Sequence, residues 1–382
     1  MFACLSRVTT RIYGVPHAGG RMEPLDGLRA YAAFLVFLVH YADSYASRVL
    51  GVDLNGLRLT AVPDVHTGLI YYLFASHYGV DIFFFLSGLL ICRIVARPSF
   101  DYGHFILHRL ARVYPAALIA LIVWAYVRIV LQGWYPLDIR QFLGNVLFLN
   151  AIPQLEIRPY NAVTWSLFFE FVFYLSFPLV RWFGGRRRVT PWSIVLFALL
   201  VLPPLVLAGG AFFIRFLMFF GGAFMGALPQ AVLRRLAAHV PDTAAIALYI
   251  SSTILFAQLL GYVYFIPVFV VTTFAIILKM LHGDGVLRRV FSWTPLRYLG
   301  NVSYSFFLVH GLAIEFVMSG YGPASKTTGA YAVAGTFTAA LFLSTVLATA
   351  LFVVAEKPYF TWRQSATDRF PKPPEPAVAV SS

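Results

Sequence analysis

The first long apolar stretch, "RMEPLDGLRAYAAFLVFLVHYADS", holds Arg29 and, after ten intervening residues, His40. On a helix rising about 1.5 Å per residue the two stand roughly 16 Å apart along the axis. An imidazole deep in an apolar segment is costly, which points to acid–base or nucleophilic chemistry; hydrogen bonding across a bundle is the alternative. A second apolar stretch, "NAVTWSLFFEFVFYLSFPL", carries Glu170, with Trp165 near its start as a candidate acceptor contact or support. If the first segment runs outward and this one inward, His40 and Glu170 both fall roughly 9–11 Å below the outer surface. That depth match predicts a catalytic pair in which the carboxylate orients the imidazole. A structural buried pair, or a protonated Glu170 bonded to a backbone carbonyl, stays open.

Phosphate chemistry is suggested at the other end. In "FILHRLARVYPAAL", Arg109 and Arg112 are three apart and so share a helix face. With Arg29 they form a basic cluster whose guanidinium forks suit phosphate oxygens, although topology anchoring and lipid headgroup contact explain many such arginines. Arg186, Arg187 and Arg188 take that plainer reading. In "HYGVDIFFFLSGLLICRIV", Asp81 would partner a cation or touch an acceptor, and Ser87-Gly88 would let helices approach closely. The late segment "LRYLGNVSYSFFLVHGLAIEF" adds Tyr304 and His310, candidate acceptor contacts or supports, and Glu315.

Lipid must be the solvent for the elements that position these groups. Of 382 residues, 60% are hydrophobic and 12% charged, with a mean hydropathy of +0.77, more apolar surface than a soluble core of this length buries. Apolar segments of roughly bilayer length fall at 27–46, 79–97, 114–132, 163–183, 192–208, 211–228, 244–261, 264–281, 299–318 and 330–354. The expected fold is an all-α integral membrane bundle of about ten transmembrane helices. One set of connections holds Arg7, Arg11 and Arg21, then Arg97, Arg109 and Arg112, Arg186–Arg188, Arg234 and Arg235, Arg288 and Arg289, and finally Lys357, Arg363 and Lys372. The other holds Arg48, Arg58, Arg140, Arg158 and Lys326. Excess basic residues mark the cytoplasmic side, which places both termini there.

Residues 1–22 read as a cytoplasmic tail without a signal-peptide core, 23–360 as one transmembrane domain, and 361–382 as a disordered cytoplasmic tail. The longer outward connections, 47–78 and 133–162, read as interfacial or re-entrant segments where an acceptor would be met. The net charge of +13 lies in short clusters between apolar runs, so nucleic-acid binding is not expected. Cys4 and Cys92 make no disulfide framework, and no metal site is evident.

Five motifs in order, "LDGLRAYAAFLVFLVH", "GVDIFFFLSGLLI", "FILHRLARVYP", "TWSLFFEFVFYLSFP" and "LGNVSYSFFLVH", resemble those of the acyltransferase 3 family over residues 22–360. The resemblance implies ten helices, an acyl-CoA donor, usually acetyl-CoA, and an acceptor that is often a surface carbohydrate such as O-antigen, exopolysaccharide, a nodulation oligosaccharide or a peptidoglycan sugar. It also implies a bacterial inner membrane, with no tightly bound cofactor. It assigns functional weight to Arg29 and His40 and to the Arg109–Arg112 pair. Some relatives fuse an extracytoplasmic hydrolase-like domain after the helices. The chain stops shortly after "VVAEKPYF", so transfer is expected to need only the membrane domain, or a separate extracytoplasmic partner. A proton-coupled transporter or flippase also uses intramembrane His and Glu, but repeated halves and paired broken helices are not visible. A lipid-linked glycosyltransferase would want a metal-binding carboxylate pair in the outward loops, which is not seen.

Overall fold

The computed structural model describes residues 13–14, 22–54, 68, 70–71, 78–134, 136, 138–184, 188–253, 261–320 and 330–362. Arg7, Arg11, Arg21, Arg58, Arg186, Arg187, Lys326, Arg363, Lys372, Cys4, the 365–382 tail and much of the 47–78 connection lie outside the described residues.

Every regular element among the described residues is helical. Helix α1 (Glu23–Tyr45) starts with Pro24 in its first turn and Glu23 and Asp26 beside the free amides, where proline's missing N–H is harmless and acids meet the positive end of the helix dipole. α2 (Gly79–Val95) is next, then α3 (Tyr102–Tyr126), capped by Asp101 accepting from the His104 amide at 2.6 Å. α4 (Ile139–Val146) lies within the 133–162 connection, ahead of α5 (Trp165–Ser176). α6 (Pro191–Gly209) opens on a reciprocal Thr190–Ser193 capping box. Then come α7 (Phe216–Ala227), α8 (Gln230–His239), α9 (Asp242–Ser251), α10 (Gly261–His282), α11 (Val286–Phe291), α12 (Thr294–Asn301), α13 (Ser303–Ser319) and α14 (Ala330–Leu351).

Among the described residues five helices are long and apolar enough to cross a bilayer, or up to seven if each of two bent pairs is one span. The bends are 107° between Ala211–Ala227 and Gln230–His239, and 74° between α12 and α13. The count therefore supports a helical membrane protein in coarser form than the expected ten crossings. α2 has 17 residues and α9 has 10, both short of the roughly 20 that span a hydrocarbon core. Leu199, Leu207, Phe342 and Val354 are each at least 66% exposed, a surface suited to lipid.

α1 is the central post, packed against α2, α11, α12 and α13. Its Phe37 and Tyr41 rings meet Phe337 of α14 at 5.5 and 5.1 Å. α2 packs most extensively against α7, and Gly88 and Gly222 make that approach possible. A Cβ on Gly88 would come within 2.0 Å of the Phe219 carbonyl oxygen, and one on Gly222 within 1.9 Å of the Phe85 carbonyl oxygen. The close-approach role expected of Gly88 is thus what its surroundings require. In the 133–162 connection, Ile139, Leu143 and Leu147 expose an apolar stripe, while buried Asn145 donates to the Gln141 and Arg158 carbonyls and accepts from the Tyr160 amide at 2.9 Å each. These bonds tie the short helix to the rest of its own connection.

Asp81 finds its cation inside the bundle. Arg215 donates to both its carboxylate oxygens at 2.9 Å, with Asp81 0% and Arg215 5% exposed. The guanidinium lies 5.1 Å from the Trp165 ring and 5.0 Å from Phe212. Of the two roles open to Asp81 the structure shows cation pairing, and Trp165 belongs to the same knot.

Gly88→Val should lower the unfolding temperature in detergent, at the upper end of the about 1–3 kcal/mol that overpacking costs. Gly335→Ala, where a Cβ meets nothing within 4 Å, should leave it unchanged, and equal melting of all three proteins would refute the packing role. Asp81→Asn should cost about 3–5 kcal/mol by stranding a buried guanidinium. The paired change Asp81→Leu with Arg215→Leu should be milder than either single change in the same assay.

Candidate active site

One narrow cleft collects most of the candidate residues. Arg29 of α1, Ser87 of α2, Arg109 and Arg112 of α3, Glu170 and Tyr174 of α5, and Tyr304 of α13 all line it. Its free space is about 90 Å³, room for a slender chain or a few waters, since one water needs about 10–15 Å³ of such space. A nucleotide would have to remain at the mouth.

Aromatic faces, rather than carboxylates, hold the arginine pair. The Arg109 guanidinium lies 5.5 Å from the Phe105 ring and 5.4 Å from that of Tyr174, and Arg112 lies 5.7 Å from Phe360. Neither side chain makes a hydrogen bond among the described residues, so their N–H donors are left for a ligand. Stacking fixes the planes without consuming those donors. Tyr304 donates to the Val113 carbonyl at 3.0 Å, joining α13 to α3 at the level of the pair.

Glu170 sits with the arginines and not with His40. Its Oε1 accepts from Ser87 Oγ at 2.6 Å and its Oε2 from Tyr174 OH at 2.9 Å. The expected His40–Glu170 pair is therefore not formed. The depth match requires α5 to begin at the membrane surface. In fact the connection before it reaches the middle of α13, where Asn161 donates to the Leu308 carbonyl at 2.9 Å, two residues from His310. Glu170, nine residues further along, lies about 13 Å beyond that level. Ser87, expected only to ease packing, supplies a hydroxyl to this carboxylate.

The partner of His40 is His310. Their ring centroids are 5.2 Å apart at 42°, bringing together two residues that the sequence presents as separate candidates. His40 is half-buried and makes no hydrogen bond among the described residues. His310 is 0% exposed, and its Nδ1 faces the Phe306 carbonyl at 3.2 Å. A carbonyl can only accept, so Nδ1 carries the proton and Nε2 of the neutral ring is an acceptor. That buried Nε2 has no hydrogen-bond partner, as expected of an atom awaiting a hydroxyl or water. His310 lies six residues after Tyr304, so the histidines are about 9 Å along α13 from the arginine level. Phe307 stands between the two levels: it lines the cleft and its ring is 6.2 Å from that of His310.

Arg215 and Glu356 are among the charged groups that have no role in the sequence reading. Arg215 is the cation of the Asp81 knot. Glu356, 2% exposed, accepts from the Ser305 amide at 3.0 Å and from its hydroxyl, within electrostatic reach of Arg112 and Arg29. Each is a lone charge in or just after an apolar run, which is the signal that could have found it. Glu315, towards the far end of α13, accepts from Arg128 at 3.0 Å, from Arg48 at 3.2 Å and from Gln132. Among the described residues no three His, Cys, Asp or Glu side chains converge as metal ligands.

A family profile described as an acyltransferase domain matches residues 23–354. The chain is 28% identical over 176 residues to the acyltransferase MdmB of Streptomyces mycarofaciens, covering 44% of this chain and 41% of that protein. It is 25% identical over 304 residues to YrhL of Bacillus subtilis, which carries a provisional name as a peptidoglycan O-acetyltransferase, covering 67% and 47%. A provisionally named O-acetyltransferase of Staphylococcus aureus strain COL is 25% identical over 317 residues, covering 70% and 51%. The chain thus spans about half the length of the curated relatives it matches, and no solved structure matches it. With the profile running from the start of α1 to the end of α14, the chain belongs to the acyltransferase 3 family.

Proposed function

We propose that the protein transfers an acyl group, acetyl above all, from acyl-CoA to a hydroxyl of a carbohydrate on the opposite side of a bacterial inner membrane. The proposal takes the bundle to cross the membrane ten times with both termini cytoplasmic, which puts Arg29, Arg109 and Arg112 at the cytoplasmic end. The observation that carries the reading is the placement of Arg109 and Arg112, with unspent donors, at one level and of His40 and His310, the latter with an unbonded Nε2, about 9 Å further along α13. The names of the relatives support an oxygen acceptor and an acetyl donor group.

In this reading the CoA phosphates engage Arg29, Arg109 and Arg112, while the thiol arm enters the cleft past Phe307. Glu170, held by Ser87 and Tyr174, positions the aromatic face on which Arg109 rests. At the histidines, the acceptor hydroxyl gives its proton to an imidazole nitrogen as its oxygen attacks the thioester carbonyl. The new C–O bond forms, the C–S bond breaks, and the departing thiolate recovers the proton. General-base catalysis of this kind contributes about 10²–10⁴ in rate. His310, with Nδ1 committed to Phe306, receives or orients the hydroxyl through Nε2, and His40 serves as the second base. Transient acylation of a histidine is the other route open to the same pair. Carbohydrate identity would be read on the outer side, by this chain or together with a separate extracytoplasmic partner.

His40→Ala in nanodiscs should lower acetyl-CoA turnover by about 10²-fold or more with acetyl-CoA binding intact. Arg109→Ala with Arg112→Ala should instead raise KM for acetyl-CoA at least about tenfold, corresponding to 1.4 kcal/mol or more of lost phosphate contact. Wild-type turnover in His40→Ala, or failure of the wild type to bind acetyl-CoA, would sink the proposal.

A further inference from the structure

A second basic cleft opens where the ends of α2, α8, α10 and α11 meet. Arg93, Gln230, Arg234, His282, Arg288 and Met22 line it, it encloses about 530 Å³, and it shares no lining residue with the cleft of Arg109 and Arg112. No carboxylate is among its lining groups. The charges of Arg93, Arg234 and Arg288 all bear on the His282 ring. Arg234 has no side-chain hydrogen bond or ion pair among the described residues. Among the described residues the Arg93 side chain hydrogen-bonds only to the Met22 sulfur, at 2.6 Å. Arg288 has the exposed carboxylate of Asp284 at 3.8 Å, outside the cleft. His282 Nε2 is buried and without a hydrogen-bond partner.

Three guanidinium groups around one ring repel one another, and nothing lining the cleft compensates them. What the cleft lacks is an anion. Guanidinium forks match the tetrahedral oxygens of phosphate, and more than one positive charge favours a multiply charged group over a carboxylate. His282, in the Nε2–H tautomer, would add a neutral donor.

We propose that this cleft is a phosphate-binding site distinct from the donor cleft, taking the phosphate of either an anionic membrane lipid or a soluble ligand. It stands apart from the acyl-transfer reading, because none of its residues takes part in that reaction. Basic pockets between helix ends are places where lipid phosphates dock, while the open mouth admits a soluble phosphate equally well.

The test compares full-length protein in detergent with two double variants. Arg234→Ser with Arg288→Ser empties the cleft of its two exposed guanidinium groups. Arg235→Ser with Arg289→Ser removes the same charge from the same two helices outside the cleft. Retention of phosphatidic acid, against phosphatidylcholine, is read by native mass spectrometry, and inorganic phosphate binding by calorimetry. The site predicts at least a tenfold weakening in the first variant and none in the second; the arm in which it occurs identifies a lipid or a soluble source. Equal behaviour of the two variants in both arms, or a wild type that binds neither probe, overturns the proposal. Matching unfolding temperatures for all three proteins establish that a loss in the first variant is not misfolding.

Discussion

An ionised side chain held in an apolar bundle must find a partner, and the internal order of this protein derives from how each charge does so. Leaving a buried charge unpaired costs several kcal/mol on the order-of-magnitude scale. Asp81 takes Arg215, Glu170 takes two hydroxyls, Glu356 takes the amide and hydroxyl of Ser305, and Glu315 takes Arg48, Arg128 and Gln132. Each set joins helices that are distant in sequence. Apolar packing alone allows helices to slide in a membrane, where lipid competes on equal terms for their surfaces. The polar sets remove that freedom and fix the register of α2 against α5 and α7, and of α13 against α1, α3 and the residues after α14.

The exceptions to this rule define the candidate site. Arg109 and Arg112 are held by rings, with their donors unspent, and His40 and His310 face each other with nitrogen atoms unbonded. Groups left unsatisfied inside an otherwise satisfied bundle are where a ligand is wanted. Because Tyr304 and His310 stand on one helix, the spacing between the two unsatisfied levels is set by six residues of α13 and is as rigid as that helix. In the proposed reaction a donor arm held at the arginines has only about 9 Å to advance before meeting the histidines. Under the proposed reaction, the donor need not cross the membrane.

Much of this was legible because it depends on single residues within single segments. Arg29 and His40 are fixed relative to one another by α1, Arg109 and Arg112 by α3, and the role of Gly88 derives from its place in an apolar run. The His40–Glu170 pairing failed because it required two segments to share a depth, and hydropathy cannot show that the chain before α5 reaches the level of Leu308. Arg215 and Glu356 were legible in principle, as isolated charges in or beside apolar runs. Their partners were not, since nothing local marks Asp81 as the mate of a residue 134 positions away. The crossing count was blurred by the shortness of α2 and the bends flanking α8 and α12, which a sliding window reads as continuous apolar sequence.

Two of these polar sets share a backbone device. Arg48, Arg128 and Glu356 lie on π-helical turns, Ala46–Leu50, Val127–Leu131 and Phe352–Glu356, that continue α1, α3 and α14. A π turn inserts a residue and rotates the downstream helix, so a side chain that an uninterrupted α-helix would aim elsewhere can be turned into the bundle. Two of these turns deliver arginines to Glu315, and the third brings Glu356 to Ser305. Glu315 and Ser305 each lie five residues from His310 on α13, to either side. The histidine is therefore bracketed by polar anchors about 7.5 Å away in both directions. Such bracketing keeps α13 from shifting along its axis, and so holds the unbonded Nε2 of His310 in place for the hydroxyl that the proposed reaction brings to it.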